Sequence, residues 1–307
     1  MGNNHDLLVL GGGVAGLTAA LYGARFGLDT AIVERMMPGN QIINVESIED
    51  FPGFPQGIPG AELGPLLQEQ AMEAGAQFLM EEATSLSLTG DLKLVTTDGG
   101  VHRARALVIA LGSSLRRLGL PREEELEGRG ISHCASCDGP LYQGAVVGVV
   151  GGGDSAADEA LTLVKYASQV FLFNRRDELR AKKVLQDRLL VHQGVKVMRN
   201  TQVEEFLGEE GISGVRVRDQ VSGEARDVDL TGLFVYVGLE PNSSFLQGAL
   251  KLDGGGHIPV GLDMGTEVPG VFAAGDIRQG SAAQLVTAAG DGATAAISAF
   301  RFLRAVA

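Results

Sequence analysis

The sequence predicts an α/β protein made of two similar β-α-β halves, and three observations predict it. Apolar strand patterns alternate with helical ones. Glycine clusters stand between a strand and a helix at two places, around Gly11 and around Gly151. Each cluster is followed by the same succession of elements, ending at Gly112 in the first half and at Gly238 in the second. Strands alternating with helices give a parallel sheet covered by helices, and self-similarity on this scale marks a repeated domain.

The first half opens with a strand over 6–10, a glycine turn and an apolar-periodic helix over 14–26. A second strand, over 30–33, ends at Glu34. Residues 35–60 are rich in Pro, Gly and Asn and read as an ordered loop, followed by a helix over 61–74. Short alternating segments over 84–103, with a turn at Asp98, Gly99 and Gly100, predict a meander, and a strand over 106–110 closes the half. The second half repeats this with a strand over 145–150, a helix over 154–166 and a strand over 169–173. A helix over 181–192, a strand over 196–199, a meander over 202–230 and a strand over 233–237 complete it. The remainder, from about Pro241, is too short for a third domain and is expected to return and complete the first.

Composition removes several function classes. The chain has 307 residues and 44 glycines, about twice the usual ~7%. A net charge of −13 repels phosphate backbones and excludes nucleic acid as partner. No apolar run reaches the length that spans a bilayer. No basic region precedes an apolar stretch near the N-terminus, and Asp6 stands where a myristoylation signal has Ser or Thr, so the expected setting is cytoplasmic. The two cysteines, Cys134 and Cys137, are too few for a secreted disulfide scaffold. Five scattered histidines leave them without the partners of a zinc site, so no metal is expected.

The first glycine turn is Gly11-x-Gly13-x-x-Gly16. Its first glycine permits the turn, the second admits a pyrophosphate against the backbone, and the third lets helix and strand pack closely. Glu34 falls about 20 residues on, where a carboxylate binds ribose hydroxyls. The second turn is Gly151-x-Gly153-x-x-Ala156, with Asp154 and Ser155 at the head of its helix. In the place of Glu34 it has Asn174, followed by Arg175, Arg176 and Arg180. A carboxylate there would repel a 2′-phosphate, whereas guanidinium groups grip one, so this site reads as NADP-type. The plainer alternatives are a tight αβ turn and a helix start with solvated arginines. Two such sites imply that NADPH passes electrons to a flavin dinucleotide. Residues 270–276 form a strand running into Gly275 and Asp276, with a helix from about Ala283 and Gln284. Asp276 is a candidate for a ribityl hydroxyl, and the helix start for charge on a reduced flavin. FAD is the expected cofactor of the first site.

Cys134-Ala135-Ser136-Cys137 is a C-x-x-C pair followed by Asp138. Beside two nucleotide sites it reads as a redox dithiol whose thiolate a helix start would stabilise, with Asp138 as proton shuttle. Half a zinc site or two inert thiols are the alternatives. His133, just before the pair, is as readily a bystander as a participant.

At this point the residues resemble those of the low-molecular-weight thioredoxin reductases, over essentially the whole chain. The stretches that carry the resemblance are GGGVAGLTAALYGARFGL, EDFPGFPQGIPG, GRGISHCASCDGP, VVGGGDSAADEALTLVKYASQVFLFNRRDELRA and GVFAAGDIRQGSAAQLVTAAGDGATAAISAFRFL. The resemblance implies two Rossmann-like dinucleotide-binding domains: a discontinuous FAD domain, residues 1–115 and 243–307, and an inserted NADPH domain, 116–242, that carries the dithiol. It implies an NADPH-dependent thioredoxin-disulfide reductase, passing electrons from NADPH to FAD to the disulfide and then to thioredoxin or a thioredoxin-like protein. Cys137 would lie nearer the flavin, Cys134 would engage the partner, Asp138 would be the acid–base group, and Arg129 would help dock thioredoxin. Gln41 and Asp50 fall in flavin-binding stretches. Members are homodimers whose NADPH domain rotates, so that nicotinamide and dithiol take turns at the flavin.

Asn40 stands where the family usually has Gly, Asp50 where it has Asn, Leu111 where it has Thr, Asn174 where it has His, and Ala283 where it has Arg. Pro140-Leu141-Tyr142 replaces an aromatic run. Ferredoxin or flavodoxin reductases on the same scaffold lack the dithiol, and dithiol oxidases usually lack the arginine pair, so both stand as alternatives behind the reductase.

Overall fold

A computed structural model describes residues 3–37, 39–45 and 47–306. The chain divides into two compact units, Met1–Ser114 with Glu240–Ala307, and Leu115–Leu239. The sequence places these crossings one and three residues later.

The first unit runs β1 (Asn4–Leu10), α1 (Val14–Arg25), β2 (Thr30–Glu34), a 3-10 turn (Asn40–Asn44), α2 (Gly60–Glu73), β3 (Gln77–Met80), β4 (Ala83–Ser87), β5 (Lys93–Thr97) and β6 (Gly100–Ile109), and leaves along β7 (Ser113–Leu115). The second holds α3 (Glu123–Leu126), β8 (Ile131–Ser132), α4 (Ala135–Asp138), β9 (Val146–Val150), α5 (Asp154–Leu163), β10 (Gln169–Phe173), α6 (Lys183–Val191), β11 (Val195–Met198), the meander β12 (Thr201–Leu207), β13 (Gly214–Asp219) and β14 (Ala225–Asp229), and β15 (Gly232–Val235). The chain returns along β16 (Leu239–Pro241) and ends with β17 (Val271–Ala273) and α7 (Leu285–Ala305).

The sheet of the first unit has the order β3-β2-β1-β6-β5-β4, with β17 also paired to β6. The sequence separates a meander strand from the closing strand over 106–110. In the structure both are β6. Its first half pairs antiparallel with β5 (Val95 opposite His102) and its second half parallel with β17 (Leu107 opposite Val271). The other edge pairs with β1 from Arg103 to Ile109 (Leu8 opposite Leu107). The burial follows the pairing: exposed and buried residues alternate at the start of β6, and every residue from Ala106 to Ile109 is buried. That is the change expected where a one-sided hairpin becomes a parallel sheet covered on both faces. β3, absent from the sequence reading, is a four-residue edge strand ending at exposed Met80.

The second unit has a parallel sheet, β11-β10-β9-β15-β8, and a separate three-stranded antiparallel meander. α5 ends at Leu163, three residues short of the expected helix, because the backbone turns there with Tyr166 N–H donating to Leu163 O. Among the described residues no helix is long and apolar enough to cross a membrane.

The returning C-terminal segment completes the first unit. β17 joins the sheet, and α7 packs along α1 with Ala295, Ala296, Ala299 and Leu303 in the core shared with Leu17, Ala19 and Ala20. Gly292 sets the approach of the two helices, since a Cβ there would stand 2.1 Å from Ala15 O. Gly292→Ala must therefore push α7 off α1. It is expected to destabilise the protein by about 1–3 kcal/mol, read as a lower urea midpoint; an unchanged midpoint would show that the helices have slack here.

Candidate active site

In the first unit the glycine turn closes on itself. Gly11 has φ of 104°, and a Cβ on Gly16 would lie 1.8 Å from Gly11 O. A Cβ on Gly13 would meet nothing within 4 Å among the described residues, so that side of the turn is open to a ligand. Glu34 ends β2 and is buried; its carboxylate accepts from Gly12 N–H at 2.6 Å and from Met36 N–H at 2.8 Å. Its remaining lone pairs are what a ribose could use.

The Gly275–Asp276 loop comes to the same turn. A Cβ on Gly275 would reach 3.0 Å from Ala15 Cβ, at the start of α1. Asp276 accepts from Ser281 Oγ–H at 3.1 Å, and burial raises its carboxyl above the usual carboxylate range against that bond. Arg278 and Asp291 hold the loop from behind with paired bonds of 2.6 and 3.0 Å, and Gly275 N–H donates to the same carboxylate at 3.2 Å. Ala283 has φ of 51°, and Gln284 caps the start of α7. Gln41, exposed, donates to Ser113 O. The buried Ser113 hydroxyl has no hydrogen-bond partner among the described residues, a group that a bound ligand would satisfy. Asp50 is exposed, and the side chain of Asn40 lies outside the described residues. The residues present fit a dinucleotide.

The second unit repeats the arrangement with different chemistry. Gly151 turns tightly, with the position of its Cβ 2.4 Å from Tyr236 O, while Gly153 is open like Gly13. Asn174 occupies the place of Glu34, and a Cβ on Gly152 would lie 2.3 Å from its Oδ1. Its amide donates to Arg176 O at 2.8 Å and Glu178 O at 3.0 Å, and Arg180 N–H donates to Gly152 O at 2.6 Å. The loop of Arg175, Arg176 and Arg180 is thereby tied to the glycine turn with its three side chains exposed. Asp154 Oδ1 accepts from Lys182 N–H at 2.6 Å, Ser155 is exposed, and Ala156 is buried.

Cys134 and Cys137 form a disulfide in this unit, Cα atoms 5.3 Å apart. The pair follows β8, at the carboxyl edge of the parallel sheet where ligands bind in such folds. Cys134 caps α4, and its sulfur accepts from Cys137 N–H at 3.1 Å. Cys134 is half-buried and Cys137 exposed. Ser132 Oγ–H donates to Asp138 Oδ2 at 2.6 Å, and Cys134 N–H donates to Ser132 Oγ at 3.1 Å, so a single hydroxyl joins the acid to the dithiol backbone. His133 Nδ1–H donates to Val235 O at 3.2 Å, and its Nε2 lies 3.6 Å from Glu127. Arg129 is exposed.

Three residues at this site were not singled out from the sequence: Ser132, Glu159 and Tyr236. Ala135 N–H donates to Glu159 Oε2 at 2.9 Å, and the buried Tyr236 hydroxyl is close enough to Glu159 to be perturbed by it, without a hydrogen bond of ordinary geometry. Ala156, Ala160 and Leu163 are buried on α5, and helical spacing puts Glu159 on the same stripe. A lone carboxylate on an apolar stripe was the available signal.

Two α/β units that each open on a glycine turn, one of them carrying a C-x-x-C disulfide, define the class of nucleotide-dependent disulfide oxidoreductases. The pattern of the family described as pyridine nucleotide-disulphide oxidoreductase matches residues 5–292. The thioredoxin reductase of Mycolicibacterium smegmatis is 40% identical over 97% of this chain and 96% of its own. The crystal structure of Lactococcus lactis thioredoxin reductase superposes with a TM-score of 0.96 at 36% identity, covering 98% of this chain and 99% of that one. That of T. acidophilum thioredoxin reductase gives 0.94 at 32% identity, with both chains covered in full. The chain belongs to the pyridine nucleotide-disulphide oxidoreductase family, whose members use a flavin and a pyridine nucleotide.

The Arg278–Asp291 pair makes the first site testable without turnover. Asp291→Ala leaves a largely buried guanidinium and the Gly275 amide without their acceptor. The expected cost is about 3–5 kcal/mol, with weaker retention of flavin on dilution. Wild-type stability and flavin content in that variant would show that the pair does not hold the loop.

Proposed function

We propose that the chain is an NADPH-dependent thioredoxin-disulfide reductase, with FAD in the first unit and NADPH in the second. The observation that carries this reading is the dithiol: a disulfide whose Cys134 sulfur already accepts an amide hydrogen, one residue from a carboxylate that a serine hydroxyl fixes. The relatives named thioredoxin reductase support thioredoxin as the substrate partner.

Gly11, Gly13, Gly16 and Glu34 would cradle the FAD pyrophosphate and ribose, with Gln41, Asp50, Gly275, Asp276, Ala283 and Gln284 along the rest of the cofactor. Gly151, Gly153, Asp154, Ser155, Ala156 and Asn174 would seat NADPH, and Arg175, Arg176 and Arg180 its 2′-phosphate. Bound flavin supplies the two-electron relay between NADPH and the dithiol. Once reduced, Cys134 attacks one sulfur of the partner's disulfide as a thiolate, helped by the Cys137 amide. Cys137 then attacks Cys134 in the mixed disulfide, releasing the partner's second thiolate and restoring the enzyme disulfide. Asp138, positioned by Ser132, takes and returns the protons on these sulfurs. As the resemblance implies, Cys137 would be the sulfur that exchanges electrons with the flavin and Cys134 the one that engages the partner. Arg129, exposed in the segment just before the pair, adds a cation to the docking surface, and the working form is a cytoplasmic homodimer.

The test is an anaerobic NADPH titration of the purified yellow protein, with about one FAD per chain, followed by addition of thioredoxin disulfide, oxidised ferredoxin or oxygen in separate samples. Thioredoxin reduction with little transfer to the others is expected. Ferredoxin reduction without thiol formation would move the chain to the other reductase class. Arg175→Ala or Arg176→Ala alone should lower NADPH efficiency roughly ten- to a hundredfold, since each charged phosphate contact is worth about 1.5–3 kcal/mol, and the two together should level NADPH and NADH. An unchanged NADPH preference would show that other groups read the phosphate.

A further inference from the structure

Glu159 is a half-buried carboxyl at the dithiol to which the reaction above gives no part. Its Oε2 accepts the amide hydrogen of Ala135, the fully buried first residue of α4, directly after Cys134. Tyr236, just past β15, brings a buried hydroxyl to the same carboxyl. A group whose task was only to accept one amide hydrogen would be better as a glutamine, which has the same acceptor and no charge to desolvate. The chain carries a carboxyl instead, one peptide amide away from the sulfur that becomes a thiolate.

We propose that Glu159 is a positioning residue for thiol–disulfide exchange: it fixes the Cys134 turn through Ala135 and carries a proton while the sulfurs are reduced, shedding it when they are oxidised. The inference deepens the proposed reductase function and rests on the dithiol being the redox group. In the oxidative half, enzyme holding one thiol, one thiolate and a protonated Glu159 meets a partner disulfide. Two electrons leave the enzyme sulfurs, the enzyme S–S bond forms and the partner S–S bond breaks. The partner leaves with one thiol and one thiolate, and Glu159, no longer facing a thiolate, releases its proton to water. Cys134 and Glu159, joined through the Ala135 amide, thus carry one negative charge between them in either redox state.

The surroundings support this use. Burial raises the Glu159 carboxyl to about 7, the amide hydrogen of Ala135 opposing it and Asp158 adding to it. The Tyr236 hydroxyl is raised as well, first by burial and then by Glu159. The titratable groups that act on Glu159 are Asp158 on its own helix and Tyr236 beyond β15; Asp138 acts in turn on Tyr236 and Tyr142, and of the two cysteines Cys134 caps α4 and Cys137 lies within it. α6, which also packs on α5, carries Lys183 paired with Asp187, and Arg188; Lys182 before it pairs with Asp154. A thiolate appearing on Cys134 adds a like charge and drives Glu159 further toward its protonated form.

The experiment is alkylation of the reduced holoenzyme with iodoacetamide from about pH 5.5 to 9, with Cys134 modification followed by mass spectrometry, for wild type and Glu159→Gln. Two coupled groups give a wild-type profile in two steps. Glu159→Gln keeps the acceptor for Ala135 and removes the charge, so its profile should collapse to one step, with Cys134 alkylated up to about tenfold faster near pH 8, the effect of one pKa unit. Superimposable profiles overturn the proposal. Should Glu159→Gln fail to retain flavin, Glu159→Asp takes its place: two steps are expected, and a single step overturns the proposal. The assay needs no thioredoxin turnover. A Cys134→Ser enzyme that still reduced disulfides would overturn the reductase reading instead, so the two failures are read on different measurements.

Discussion

A methyl group at position 16 would stand 1.8 Å from the carbonyl oxygen of Gly11, closer than any side chain can sit. That approach folds the chain back on itself between β1 and α1 and points the start of the helix at the carboxyl edge of the sheet. What surrounds the first site depends on it. The open face at Gly13 exists because the turn is closed on its other side, and Ala15, just inside α1, is what Gly275 and Gly292 both pack against. Both chain ends are thus held by one turn.

The second unit meets the same constraint with different atoms. The space a Cβ on Gly151 would need is taken by Tyr236 O. Tyr236 N–H bonds to Val150 O, and its ring reaches Glu159. One residue thereby connects the nucleotide turn to the turn that carries the dithiol. The two positions that cover the middle glycines divide the work by charge. Glu34 covers Gly12 and accepts its amide hydrogen. Asn174 covers Gly152 but turns its donor to the carbonyls of the arginine loop. A neutral donor in that place shapes a cationic loop without opposing it, which suits a phosphate that a carboxylate would repel.

The β-α-β units, both glycine turns, the arginine loop and the C-x-x-C pair were legible because each has a local sequence cause. Glycine is demanded by a clash or a positive φ, and apolar periods of two and 3.6 residues mark strand and helix. What escaped depends on partners distant in sequence. β6 reads as two segments because it changes partner from β5 to β17 partway, and its burial pattern changes with it. β3 is short and lies on an edge, so one strand of pairing fixes it. Asn174 reads from sequence as the absence of an acid; that it ties the arginine loop to its own backbone appears only in three dimensions. Ser132 and Tyr236 join the site through strand ends separated by about 100 residues of chain, and nothing local marks either one.

The central claim is that electrons leave through Cys134 and Cys137. It is tested most directly by NADPH-dependent reduction of thioredoxin disulfide by wild type, Cys134→Ser and Cys137→Ser side by side. Both variants should keep FAD and still be reduced by NADPH, neither should turn over disulfide, and only Cys134→Ser, which retains the Cys137 thiol, should show a long-wavelength charge-transfer band. Equal turnover by wild type and Cys134→Ser would contradict it.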